Sequence, residues 1–116
     1  MKINLRRERD EEVTIVDLDG KLTIGDGDVQ LRQEIQDLLD DGVKRILINL
    51  KDVKAMDSSG LGELVRVRAN ANNADAVVKL LHVEDKVQEV LEMTRLIGVF
   101  DTYDDEIDAL ASFRDA

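Results

Sequence analysis

Ile46, Leu47, Ile48 and Leu50 make a nearly continuous apolar run within residues 45–50. A run so short and so apolar suits a strand covered on both faces. The segments around it alternate in the same sense. Ile3 and Leu5 alternate with polar residues and predict a short first strand. After a charged turn at Glu8 to Glu12, Val13, Ile15, Val16 and Leu18 form a β-branched run that should stop at Asp19-Gly20, with Lys21 to Ile24 as a short hairpin arm. Beyond Gly25-Asp26-Gly27-Asp28 the period changes. Leu31, Ile35, Leu38 and Leu39 form an amphipathic helix stripe, with Asp28 as its expected N-cap and Gly42 as its stop. Leu61, Leu64, Val65 and Arg68 predict a second helix after Asp57-Ser58-Ser59-Gly60, with a loop at Asn70 to Asp75. Val77 to Leu81 reads as a strand and Val83, Val87, Val90, Leu91 and Thr94 as a third helix. Ile97 to Phe100 reads as a short strand, and Ile107, Leu110, Ala111 and Phe113 as a fourth helix. Strands alternating with helices predict an α/β fold with parallel pairs, to which the two leading strands add an antiparallel edge.

A chain of 116 residues fits one domain, 1–116, without a linker. Its core must be aliphatic, because there are only two Phe, one Tyr and no Trp. Twenty-six acidic against 16 basic residues leave a charge of −10, and no basic block offsets it. Nucleic acid and anionic membrane are therefore poor partners. With no cysteine and a single histidine, His82, there is no disulfide framework, thiolate nucleophile or multi-histidine metal site. The N-terminus is charged, unlike a signal peptide, and no apolar run reaches the ~18 residues of a membrane span. The expectation is a soluble, cytoplasmic domain without a cofactor.

The most pointed feature is Asp57-Ser58-Ser59-Gly60-Leu61-Gly62, set between a buried strand and a helix stripe. The first turn of a helix presents unpaired N–H groups and the positive end of the macrodipole. An oxygen there has two compatible readings. It caps the helix, or it is a hydroxyl open to phosphorylation, since phosphate is tolerated at a helix start. Gly60 and Gly62 either allow a partner's backbone to approach or ease the turn and pack the helix on the sheet. The pair is too short for a phosphate-cradling loop. Asp17, Asp19, Asp26 and Asp28 lack the spacing and closing Glu of an EF-hand. His82 could pair with a serine, but the nucleophile-elbow pattern is absent, and a strand-end role fits it better. Asp101, Asp104, Asp105, Glu106 and Asp108 crowd the start of the last helix, where carboxylates complement the dipole.

The ordered set of landmarks resembles the STAS domain family, specifically bacterial anti-sigma-factor antagonists. The set comprises Gly20-Lys21-Leu22-Thr23, Ile46 to Leu50 leading into Asp52-Val53, and Met56-Asp57-Ser58-Ser59-Gly60-Leu61-Gly62. Val78-Lys79-Leu80-Leu81 and the tail Val87…Leu91…Thr94-Arg95-Leu96…Val99-Phe100-Asp101 complete it. The resemblance implies a STAS-like mixed sheet of about five strands with four helices, and no enzymatic activity. It implies that a GHKL-type anti-sigma serine kinase binds the domain and phosphorylates the serine after the motif Asp, here Ser58, with the neighbouring Ser59 as the alternative site. A PP2C-type phosphatase would reverse the modification. The alternative is a non-switching STAS scaffold or sensor in which Ser58 is only a helix cap. The expected binding surface centres on Ser58, Ser59, Gly60 and Gly62, with Asp57, Asp26 and Asp28 nearby and Glu63 at the rim. So many acids would steer the domain toward a basic partner.

Overall fold

A computed structural model describes residues 1–115. The chain begins with β1 (Lys2–Glu8) and β2 (Val13–Leu22), then α1 (Asp28–Asp40), β3 (Arg45–Met56) and α2 (Ser58–Asn73). It continues through β4 (Val77–Leu81), α3 (Asp85–Met93), β5 (Thr102–Tyr103) and α4 (Glu106–Ser112). The five strands form one sheet in sequence order. β1 runs antiparallel to β2, and β2 through β5 are parallel to their neighbours. The fold is the mixed α/β sheet with four helices that the periodicity and the resemblance led us to expect.

Crossovers between parallel neighbours keep one hand. When such strands follow one another in sequence order, their helices fall on the same face. Leu31 and Ile35 of α1, Leu61 and Leu64 of α2, and Val87 and Leu91 of α3 accordingly share one core layer with Val16, Ile46, Ile48 and Leu80. α4 lies across the other face, where Ala109, Leu110 and Phe113 pack on Val13, Ile15, Leu47 and Leu81. Successive strand side chains point to opposite faces. The apolar run in β3 is thus divided, with Ile46, Ile48 and Leu50 under α1–α3 and Leu47 under α4. Each such fully buried aliphatic side chain contributes about 1.5–3 kcal/mol of transfer free energy.

Several local expectations are corrected. β2 does not stop at Asp19-Gly20; it continues to Leu22 alongside β3, absorbing register shifts at Asp17/Asp19 and Gly20/Lys21. No hairpin arm forms there, because Lys21 and Leu22 pair parallel with Ala55 and Met56. α2 runs on to Asn73 through the expected loop, since Ala71 packs in the core. Ile97–Val99 is a 3-10 turn, not a strand. The strand is Thr102–Tyr103, locked by Leu80 N–H to the Asp101 carbonyl (2.9 Å) and His82 N–H to the Tyr103 carbonyl (2.8 Å). Ile107, expected on the buried stripe of α4, is exposed. Gly27 occupies the N-cap position of α1, and Asp28 is the first helical residue. Gly42 does end α1. At φ +84° it donates its N–H to the Leu39 carbonyl while Val43 donates to Leu38, the paired bonds of a Schellman motif.

Candidate functional site

β3 delivers the chain to the start of α2 beside the loop that follows β2. At this junction Asp57, in extended conformation, is the N-cap of α2. One carboxylate oxygen accepts the Gly60 N–H at 2.9 Å, and the other accepts the Ile24 N–H at 3.0 Å. A single side chain therefore caps the helix and holds the β2–α1 loop against it. The Ile24 and Gly60 N–H groups together hold the Asp57 carboxyl below the usual carboxylate range. Gly60 fixes the approach of α2 to the sheet. A Cβ at this position would stand 1.9 Å from the Leu22 carbonyl oxygen. Gly60 thus packs the helix on β2, whereas a Cβ at Gly62 would meet open space.

Ser58 is the first residue of α2 and is exposed; Ser59 is half-buried. Because Asp57 caps the helix, Ser58 does not, which corrects the reading of Ser58 as a helix cap. Among the described residues no hydrogen bond restrains the Ser58 hydroxyl. It sits at the N-terminus of a 16-residue helix, where a charged acceptor such as phosphate is favoured by free N–H groups and the macrodipole. Ser58 and Gly62, one turn apart, share the outward side of α2.

The surrounding acids are arranged differently from expectation. Asp26 is exposed in the loop before α1. Asp28 is buried, its Oδ1 accepting the Gly25 N–H (3.0 Å) and the Val29 N–H (2.8 Å). Glu63, expected at the rim, is only 3% exposed. Its Oε1 accepts Arg32 Nε at 2.8 Å and Arg66 Nη1 at 3.1 Å, with Arg32 Nη2 also bound to it. This is possible because Glu63 and Arg66 are one helical turn apart on α2 and Arg32 lies on the facing side of α1. Arg32 is held protonated all the more firmly by the Glu63 hydrogen bond. Sequence reasoning missed four residues here: Arg32, Arg66, and the exposed Ile24 (73%) and Val29 (57%). The Glu63–Arg66 spacing is legible as an i,i+3 pair, whereas the exposure of Ile24 and Val29 and the reach of Arg32 appear only in the packing of α1 on α2.

The other candidates take structural roles. Asp17 accepts both Arg6 Nε (2.6 Å) and Asn49 Nδ2 (2.8 Å). Asp105 caps α4 by accepting the Asp108 N–H at 3.0 Å. His82 follows β4 directly, with Nδ1 3.4 Å from Glu84. No group of metal-ligating side chains occurs among the described residues.

The STAS domain family model matches residues 4–109. The "Anti-sigma F factor antagonist" of Paenibacillus polymyxa is 28% identical over 110 residues, covering 95% of this chain and 94% of the relative. The crystal structure of the Thermotoga maritima protein TM1081 superposes with a TM-score of 0.86 at 24% identity, covering 97% of this chain and 94% of that one. The anti-sigma factor antagonist SpoIIAA superposes with TM-scores of 0.74 in its unphosphorylated form and 0.71 in its phosphorylated form. Identities to these two are 21% and 20%, with 99% and 96% of this chain and 100% and 98% of theirs covered. The chain belongs to the STAS domain family.

Proposed function

We propose that this STAS domain is an anti-sigma-factor antagonist: a binding protein, not an enzyme, that engages a GHKL-type anti-sigma serine kinase through the surface around Ser58. Phosphorylation of Ser58 by that kinase ends the engagement, and a PP2C-type phosphatase restores it. The observation that carries this reading is the exposed Ser58 hydroxyl at the N-terminus of α2, with capping assigned to Asp57. Such a hydroxyl is open to a kinase and can carry a phosphate without disturbing the helix it begins. The names of the relatives point the same way, and SpoIIAA itself exists in a phosphorylated form.

The test is to incubate the chain with ATP and each GHKL-type serine kinase encoded in its source genome, then map the modified residue by mass spectrometry. Phosphate on Ser58 is expected. Phosphate on exposed Thr102, or none with any kinase, would contradict the reading. Thr14 is buried and needs unfolding to react.

A further inference from the structure

We propose that Arg32 and Arg66, oriented by the buried Glu63, form a cationic anchor on the partner-binding surface that takes a carboxylate of the partner. The inference rests on the reading above and names the chemistry of the contact. It reverses the expectation of a basic partner surface at this site.

Three acids near Ser58 make their hydrogen bonds within the domain. Asp57 is held by two backbone N–H groups, Asp28 by two more, and Glu63 by two arginines. What this part of the surface offers outward is Ser58, Gly62, the apolar Ile24 and Val29, and the arginine pair. Asp26 is the exposed acid of the loop. The chain as a whole carries −10, so two arginines sharing one carboxylate are a local departure from its charge. Glu63 bonds both arginines, the Asp28 carboxylate acts on Arg32 as well, and the two arginine side chains remain 45% and 54% exposed.

The geometry suits recognition. Both guanidinium groups bond the same Glu63 oxygen, which fixes their positions, yet each keeps N–H groups free toward solvent. The other Glu63 oxygen is buried and has no partner. A buried carboxylate so incompletely satisfied is costly, and here it supplies attraction that holds two surface cations in place. Arg66 lies eight residues beyond Ser58 on α2, about 12 Å along the helix axis. A standard interface of about 800 Å² per partner extends roughly 16 Å from its centre. An interface centred on Ser58 therefore reaches Arg66, and Arg32 bonds the same Glu63 oxygen as Arg66.

The test is affinity, by titration calorimetry, for the kinase identified in the phosphorylation assay. Either single substitution, Arg32→Ala or Arg66→Ala, leaves Glu63 one arginine, and circular dichroism checks the fold. Arg32→Gln, which keeps a donor for Glu63, replaces Arg32→Ala if that variant unfolds. Each loss of a charge-assisted contact is expected to weaken binding about tenfold or more. Glu63→Gln, which keeps both cations but not their anchor, should weaken binding by a smaller factor. Folded arginine variants that bind as tightly as the parent, or more tightly, would overturn the inference while leaving the Ser58 assignment intact. Absence of any kinase that binds the parent chain would overturn both.

Discussion

The Asp57 carboxylate accepts the backbone N–H of Ile24 at 3.0 Å, across 33 residues of sequence. With its other oxygen it caps α2. This one side chain joins the loop after β2 to the helix that carries Ser58, so the two parts of the proposed binding surface are fixed relative to each other.

Removing that carboxylate should cost about 0.5–2 kcal/mol, the range for loss of an N-cap. Urea unfolding of Asp57→Ala checks this, with Asp57→Asn retaining part of the effect.

The same carboxylate makes a pH-dependent contribution. Its folded-state pKa is depressed by the Ile24 and Gly60 N–H groups, so the unfolded chain takes up the proton first. The contribution is complete above the ordinary aspartate range and is lost as the pH falls through the depressed value. Unfolding midpoints of the parent and Asp57→Asn, followed from neutral to acid pH, should converge on acidification.

Two glycines two residues apart should respond in opposite ways. Gly60→Ala places a Cβ against the Leu22 carbonyl and forces α2 off β2, costing at least the 1–3 kcal/mol typical of overpacking, roughly. Gly62→Ala meets no atom, and its better helix propensity should stabilise the fold by up to about 1 kcal/mol. On the proposed surface, however, the added methyl should weaken partner binding. Thermal melts paired with binding titrations separate the two effects.

Phe113 is fully buried between the sheet and α4, with Lys79 Nζ 4.8 Å from its ring centre. Phe113→Ala should cost about 3–5 kcal/mol. Because α4 lies on the face opposite α2, any folded population should keep the Ser58 surface. Denaturation and partner titration at low temperature test both statements.

The fold was legible wherever one physical signal dominated. The apolar run at Ile46 to Leu50 demanded cover on both faces and received it from α1–α3 and from α4. Gly42 supplied the left-handed φ that ends α1. The errors occurred where tertiary contacts outweighed local preference. Asn70, Asn72 and Asn73 are weak helix formers, but burial of Ala71 carries α2 through them. The two-residue β5 is too short to show a period, and the apolar Ile97 to Phe100 beside it carries the stronger strand signal although it forms a 3-10 turn. At the site, the motif located Ser58 and Asp57. The burial of Glu63 depends on Arg32, 31 residues earlier, and only the packing of α1 on α2 reveals it.

Phosphate on Ser58 is expected to turn binding off without refolding the domain. Like unit charges about 4 Å apart repel by roughly 4 kcal/mol at an effective dielectric of about 20, and a hundredfold loss of affinity needs only about 2.7 kcal/mol. One kinase carboxylate facing Ser58 therefore suffices. The most direct measurement is the kinase affinity of the unphosphorylated chain, the Ser58-phosphorylated chain and Ser58→Ala, each with its circular dichroism spectrum. Tight binding is expected for the first and third, binding at least about a hundredfold weaker for the second, and superposable spectra. Equal affinities of the two forms, or a folded Ser58→Ala that fails to bind, would contradict that expectation.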